Sequence, residues 1–230
     1  MFRKLRRFLT DRTWRETRWF YRVRPRDLLQ PSNVTFPDRY PNVFAFVQRE
    51  LGAETQGALL SFGCSTGEEV FSLRNYFPRA TLKGIDINPG NIRICNRRLK
   101  QRGDPKVTFE TAGSLAAEPP ASYDAIFCMA VLRHGAISRP GVRSAEPFLS
   151  FQMFCRTIDS LARCLKPGGL LAIAHSNFRL CDAPAGAHFA AVMSVTDAES
   201  PSPIFGPDNI VMPGVVQADV VFRKVSPPAQ

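Results

Sequence analysis

The stretch LLSFGCSTGEEVFSL at residues 59–73, followed by GIDIN at 84–88, restricts this chain more than any other part of it. An apolar run of strand length ends in Gly63, turns through Cys64, Ser65 and Thr66, and enters helix-forming sequence at Gly67. Such a turn lets the backbone approach a ligand closely, with amide groups and the positive helix end directed at it. Asp86 stands 23 residues after Gly63, at the end of the next strand-like run. In nucleotide-binding βαβ units an acid about 20 residues on accepts hydrogen bonds from ribose hydroxyls. The two features predict a nucleoside-bearing ligand across the carboxyl ends of the first two strands; the alternative for Asp86 is a turn former.

The nucleoside is narrowed by what the turn lacks. A dinucleotide fingerprint needs glycines at GxGxxG, and here Ser65 takes the second of those places in a GxxxG pattern. A phosphate loop needs a Lys and a Ser or Thr after its last glycine, and here Glu68 and Glu69 follow. Two carboxylates oppose a pyrophosphate but suit a sulfonium and an ammonium group, which favours S-adenosylmethionine.

Around this motif, strands and helices alternate. Pro41 opens a helix that ends at Gly52, with apolar residues at Val43, Phe44, Phe46, Val47 and Leu51. Strands are expected at 58–62, 81–87, 107–111, 123–131 and 170–175, with helices from Gly67 to about Phe77, from Asn88 to about Arg102, and from Pro147 to Leu165. That alternation implies a parallel sheet covered on both faces. HFAAVMSV (188–195) and ADVVFRKV (218–225) are strand-like, with a Pro-, Gly- and Asp-rich stretch between them that leaves no room for a crossover helix. They are expected as an antiparallel hairpin. The fold class is therefore α/β, a Rossmann-like, doubly wound, mostly parallel seven-stranded sheet with a C-terminal antiparallel hairpin.

GCSTGEE, the acid of GIDIN, the YDAIFCMAVL strand and LKPGGLLAI resemble the ordered motifs of class I S-adenosylmethionine-dependent methyltransferases. CSTGEE is especially similar to the core of the chemotaxis-receptor glutamate methyltransferases. The resemblance covers roughly 55–175. It implies that Gly63, Ser65 and Gly67 line the methionine part of an S-adenosyl-L-methionine cofactor, with Cys64 in the same cofactor-binding turn, and that Asp86 holds the ribose. Ile87 would flank the adenine, and Met129 with Ala130 would close the site after the fourth strand, although Ile87 and Met129 also suit plain core positions. Many relatives have an acid facing the adenine amino group after the third strand; this chain reads TAGS at 111–114, which leaves that contact to backbone or to Ser114.

The acceptor is weakly encoded, because in-line displacement on an activated sulfonium needs alignment and water exclusion more than a dedicated base. The segment RHGAISRPGVRSAEP (133–147) interrupts the carboxyl edge of the sheet and is expected to shape the acceptor pocket. His134 is the candidate general base, against a plain loop histidine, with His175 as a second candidate. Arg133, Arg139 and Arg143 are candidates for holding an anionic acceptor, against a solvated loop. No Asn-Pro-Pro-Tyr or Asp-Pro-Pro-Tyr run follows the fourth strand, which argues against methylation of an exocyclic base amine. A small-molecule or lipid-linked acceptor is expected; the alternatives are a macromolecule, protein carboxylate or RNA, and a binding module without catalysis.

With 230 residues, 44% of them hydrophobic and 22% charged, the chain suits one domain at 41–226, preceded by an extension and linker at 1–40 and followed by a tail at 227–230. No apolar run approaches the roughly 20 residues of a spanning helix, and no secretory signal is recognisable, so a cytoplasmic, membrane-peripheral location is expected. The six cysteines show no CxxC pair and no histidine at ligand spacing, so they are expected to be reduced, buried and free of metal. The net charge of +10 resides mostly in 1–26, where ten Lys and Arg face Asp11 and Glu16. That aromatic, basic segment, with Thr13 and Glu16 as a capping box, suits an anionic membrane surface or an acidic partner. A nucleic-acid arm, a solvated cationic helix packed on the domain and a transit peptide are its alternatives.

Overall fold

The structure, a computed structural model, describes residues 29–31, 33–195 and 203–225; the basic segment and its capping box lie outside them. Pro41 starts α1 (Pro41–Leu51), and Gly52 ends it at a positive φ of 83°. Then follow β1 (Ala58–Phe62), α2 (Glu68–Tyr76), β2 (Thr81–Asp86), α3 (Pro89–Arg102), β3 (Val107–Thr111) and β4 (Tyr123–Met129). The second half holds α4 (Phe151–Cys164), β5 (Leu165–Ala174), two short 3₁₀ turns, β6 (Phe189–Ser194) and β7 (Asp219–Lys224). Asn88 caps α3 by accepting a 2.8 Å bond from the Gly90 amide, ahead of Pro89 in the first turn.

The strands form one sheet in the order β3-β2-β1-β4-β5-β7-β6. The pairs β3–β2, β2–β1, β1–β4 and β4–β5 are parallel, and β5–β7 and β7–β6 are antiparallel. The C-terminal strands thus form the expected antiparallel pair, with β7 inserted between β5 and β6. Chain order reverses between β1 and β4, and in open α/β sheets ligands bind beyond the strand ends at such a reversal.

Alternation along the central strands divides the core. Leu59, Ala125 and Phe127 face α1, α2 and α3 with Phe44, Val47, Leu73 and Cys95, while Leu60, Ile126 and Cys128 face α4 with Phe154, Ile158 and Leu161. Both faces are therefore dry, as a parallel sheet requires.

Three expectations change. The helix expected from Pro147 begins at Phe151, because Ser150 is extended and its hydroxyl caps the Met153 amide at 3.2 Å, which leaves 147–149 as a turn on the Ala145 carbonyl. β5 starts at Leu165 rather than 170, since Leu165 pairs with Tyr123 before the KPGG stretch breaks the register. Finally, the cysteines are all free, but only Cys64, Cys95, Cys128 and Cys164 are buried. Cys155 is half-buried on α4, and Cys181 is exposed in a 3₁₀ turn.

Candidate functional site

Residues 33–40, with Pro37 among them and Pro31 and Pro41 on either side, form no helix or strand, yet they do more than connect. The Asp38 amide donates to the Ser72 hydroxyl of α2 (2.8 Å), which itself donates to the Glu68 carbonyl (2.9 Å), and the Tyr76 hydroxyl donates to the Asp38 carboxylate (2.8 Å). Further back, the Gln30 amide reaches the Ala130 carbonyl at 3.4 Å. The segment is thereby held across the carboxyl ends of β1, β2 and β4, and it roofs a cavity of about 300 Å³.

The floor is the glycine turn. Gly63, Ser65 and Gly67 take positive φ values of 78°, 50° and 91°. The amides of Gly63 and Cys64 both donate to the Ile85 carbonyl at 2.7 and 2.9 Å, which ties the turn to β2. A side chain on Gly63 would put its Cβ 2.4 Å from the Val131 Cγ2, so neither conformation nor space admits one. Asp86 accepts from the Ser65 amide (2.8 Å), the Asn88 amide (2.8 Å) and the Asn91 side chain (3.0 Å). A carboxylate offers about four acceptor sites, so about one stays open toward the cavity. Burial raises the Asp86 pKa against these three bonds, which favour the ionised form. Asp86 therefore shapes the turn, as its turn-former alternative has it, and also lines the cavity.

The two glutamates part company. Glu68 accepts from the Thr66 hydroxyl (2.6 Å) and pairs with Arg98 (2.6 Å), away from the cavity; burial would raise its pKa, but these bonds outweigh it and hold the carboxyl low. Glu69 lines the cavity and accepts from the buried Ser61 hydroxyl at 2.7 Å. Burial pushes its carboxyl up to about 7, against the Ser61 bond and the Arg39 guanidinium, both of which favour ionisation. The expected pair of carboxylates is thus a single one, because successive helical residues point about 100° apart.

The cavity gathers Gly63, Cys64, Ser65, Asp86, Ile87, Met129 and Ala130, each named from the sequence. Gly67, Ser114 and His134 are not among its lining residues. Gly67 is buried where a Cβ would meet Cys95 and Phe71 at 3.1 Å, so its role is to let the turn enter α2. Ser114 opens instead on a smaller space of about 120 Å³ beside Phe62, and Ala112 and Gly113 take the place at the main cavity. His134 is buried, its ring stacked on Phe148 at 4.9 Å and its Nδ1 accepting from the Ala136 amide at 3.2 Å; burial lowers its pKa. His175 packs behind Tyr40, with ring centroids 5.7 Å apart, and burial together with Arg133 and Arg39 lowers its pKa. Arg133 lines the cavity, whereas Arg139 and Arg143 are exposed elsewhere.

Arg39 and Tyr40 were not marked by any motif; the sequence signal was only a charged and an aromatic residue just before the first helix. The Arg39 guanidinium lies 5.5 Å from the Phe36 ring centroid and 5.2 Å from that of Tyr40, and it donates to the Val34 carbonyl at 2.9 Å. Two buried hydroxyls at the cavity, those of Tyr40 and Ser65, have no hydrogen-bond partner among the described residues. Orphaned buried hydroxyls are costly, and a polar ligand would satisfy them. A cavity of this size, with one glycine floor, carboxylates of Glu69 and Asp86 and the guanidinium of Arg39, fits a nucleoside joined to an amino acid. Among the described residues no group of three or more His, Cys, Asp or Glu is placed to hold a metal ion, and no helix is long and apolar enough to cross a membrane.

Residues 60–171 match a family model described as a methyltransferase domain. A trans-aconitate 2-methyltransferase of Methylobacterium nodulans is 33% identical over 115 residues, 50% of this chain and 36% of that protein. A ubiquinone biosynthesis O-methyltransferase of Paracidovorax citrulli is 28% identical over 115 residues, covering 47% and 46% of the two chains. A malonyl-[acyl-carrier protein] O-methyltransferase of a Paenibacillus species is 28% identical over 123 residues, covering 52% and 39%. This chain therefore spans less than half the length of these relatives. A crystal structure of a SAM-dependent methyltransferase from Aquifex aeolicus superposes with a TM-score of 0.44 at 15% identity, covering 72% of this chain and 70% of that one.

Proposed function

We propose that this chain, whose residues 60–171 match a methyltransferase-domain family model, is a class I S-adenosylmethionine-dependent methyltransferase that transfers the methyl group of S-adenosyl-L-methionine to a small-molecule acceptor bound in the cavity under residues 33–40. The observation that carries this is the placing of Glu69 and Asp86 in one cavity together with the Gly63–Ser65 turn. When bound, the cofactor supplies a methyl group already activated by its sulfonium.

The residues present divide the binding among themselves. Asp86 offers its open acceptor site to a ribose hydroxyl, while Ile87, Ala112 and Gly113 form the slot for adenine. Glu69, once ionised, faces the ammonium. Arg39, close enough to act on the Glu69 ionisation, takes the carboxylate on the same carbon. Met129 and Ala130 close the site from β4, and the roofing segment excludes water, which strengthens each charge contact. His134 and His175, the candidate bases, are not among the lining residues, and with Glu69 given to the ammonium this reading has the chain align the acceptor.

Calorimetry on purified protein with S-adenosylhomocysteine tests the reading: micromolar binding with one site is expected, and absence of heat with either the methylated or the demethylated form sinks it. Residues 1–26, outside the described part, serve in this proposal to bring a cytoplasmic enzyme to anionic lipid. Their removal should abolish low-salt binding to vesicles containing phosphatidylserine, and unchanged binding would refute that role.

A further inference from the structure

Two guanidinium groups reach the cavity, and the cofactor can use only one of them. Arg39 and Arg133 line it together with the carboxylates of Glu69 and Asp86, and neither arginine forms an ion pair among the described residues. Arg133 donates from Nε to the Ser138 hydroxyl at 3.3 Å, and its two terminal nitrogens donate to nothing among the described residues. With both acids ionised the cavity is neutral. S-adenosylmethionine brings two positive groups and one carboxylate, so it adds one net positive charge. A neutral acceptor would leave that charge uncompensated in a roofed, low-dielectric space, and an anionic acceptor removes it.

The assignment of the surplus cation follows from covalent structure. The cofactor's ammonium and carboxylate share one carbon, so their protein partners must be neighbours. Both arginines act on Tyr40 and His175, but only Arg39 also acts on Glu69, and Arg39 already donates to the Val34 carbonyl, whereas Arg133 is bonded only through its Nε among the described residues. Arg133 is therefore the free one. The same cavity holds the second orphan, the buried Tyr40 hydroxyl, which has no partner among the described residues and which burial keeps protonated as a donor, with its pKa pushed up to about 12.

We propose that the cavity takes an acceptor bearing an oxyanion, carboxylate or phosphate, gripped by the terminal nitrogens of Arg133 with the Tyr40 hydroxyl as the additional donor. This rests on the methyltransferase reading and names the acceptor class of that site. A planar guanidinium with both terminal nitrogens free matches the paired oxygens of either anion, and charge-assisted bonds of that kind are about twice as strong as neutral ones.

The test uses the full chain saturated with S-adenosylhomocysteine, titrated at constant ionic strength with benzoate, inorganic phosphate and, as the neutral counterpart, benzamide. Binding of benzoate at least about tenfold tighter than benzamide assigns a carboxylate acceptor, and binding of phosphate alone assigns a phosphorylated one. In either case R133Q should lose about tenfold or more in anion affinity, with S-adenosylhomocysteine affinity within about twofold of wild type, and R133K should recover part of the loss. Should R133Q not fold, Y40F carries the test: it deletes an orphaned hydroxyl, so it keeps the fold and weakens anion binding alone. The proposal is overturned if neither anion binds, if benzamide matches benzoate, or if the variants bind the anions as wild type does. Failure of wild type to bind S-adenosylhomocysteine, read before any anion is added, refutes the underlying methyltransferase reading instead.

Discussion

Glu69 is a carboxyl group held near neutrality by burial, at about 7, with the Ser61 hydroxyl as its hydrogen-bond donor. A raised carboxyl pKa means that the folded, unliganded protein binds a proton between about 4.5 and 7 that the unfolded chain does not. This group's contribution to stability is therefore present at low pH and is lost as pH rises through 7. In the proposed site cofactor binding runs the other way, because an ammonium facing Glu69 needs the ionised form. Affinity for S-adenosylhomocysteine should rise between pH 5.5 and 8, with a limiting slope of about tenfold per pH unit below the pKa, and E69Q should bind weakly with no such slope. Calorimetry across that range decides it, and an equal slope in the variant would remove Glu69 from the role. Gly63 makes a second, purely steric prediction. G63A combines a positive φ with a 2.4 Å approach to Val131, so it should cost roughly 1–3 kcal/mol or more in urea unfolding and lower cofactor affinity as the turn moves.

At the scale of elements, the roofing segment 33–40 is clamped to α2 by two side chains, Ser72 and Tyr76. Each hydrogen bond of this sort is worth about 1 kcal/mol net, so the double variant S72A/Y76F should loosen the roof by up to about 2 kcal/mol. Faster amide exchange in 33–40, with β1 and β4 unaffected, is the expected result, together with up to about tenfold weaker binding of S-adenosylhomocysteine. Uniformly faster exchange throughout would instead mean that the two side chains support the whole domain. The same segment marks the limit of what local sequence conveys. α1, β1, α2, β2 and α3 were legible because Pro41, Gly52, Gly67 and the Asn88–Pro89 pair punctuate strongly periodic stretches. The only punctuation in residues 33–40 is Pro37, with Pro31 and Pro41 on either side, and prolines declare irregular backbone but say nothing of where it runs; the segment's place over the cavity depends on contacts to α2 more than 30 residues away. The start of α4 was misplaced because Phe148 fits the helical spacing, while the Ser150 cap that decides the boundary looks like any serine. Likewise, spacing identified the Glu68–Glu69 pair but not which of the two would turn inward, since that follows from the angle at which α2 meets the sheet.

The molecule as a whole places its cavity at the reversal of strand order, so its walls come from both halves of the chain. Gly63 and Asp86 belong to the β1–β2 half, Met129 to Val131 to the end of β4, and the roof to the segment before α1. A ligand there joins parts of the chain that would otherwise separate on unfolding, and it should stabilise by about 2.7 kcal/mol at a concentration one hundred times its Kd. For a domain of this size that corresponds to a Tm increase of roughly 5–10 °C. Two variants separate stability from site. F154A empties a fully buried position on the α4 face and should lower the baseline by about 3–5 kcal/mol while leaving the ligand-induced increase intact, because Phe154 is not among the residues that line the cavity. D86A strips the acceptor from the amides of Ser65 and Asn88 and from the Asn91 side chain, so it should lower the baseline and also lose the increase. Thermal melts with and without S-adenosylhomocysteine read both quantities. If D86A retained the full increase, Asp86 would act only as the staple of its own turn, and the ribose contact would have to come from elsewhere in the cavity.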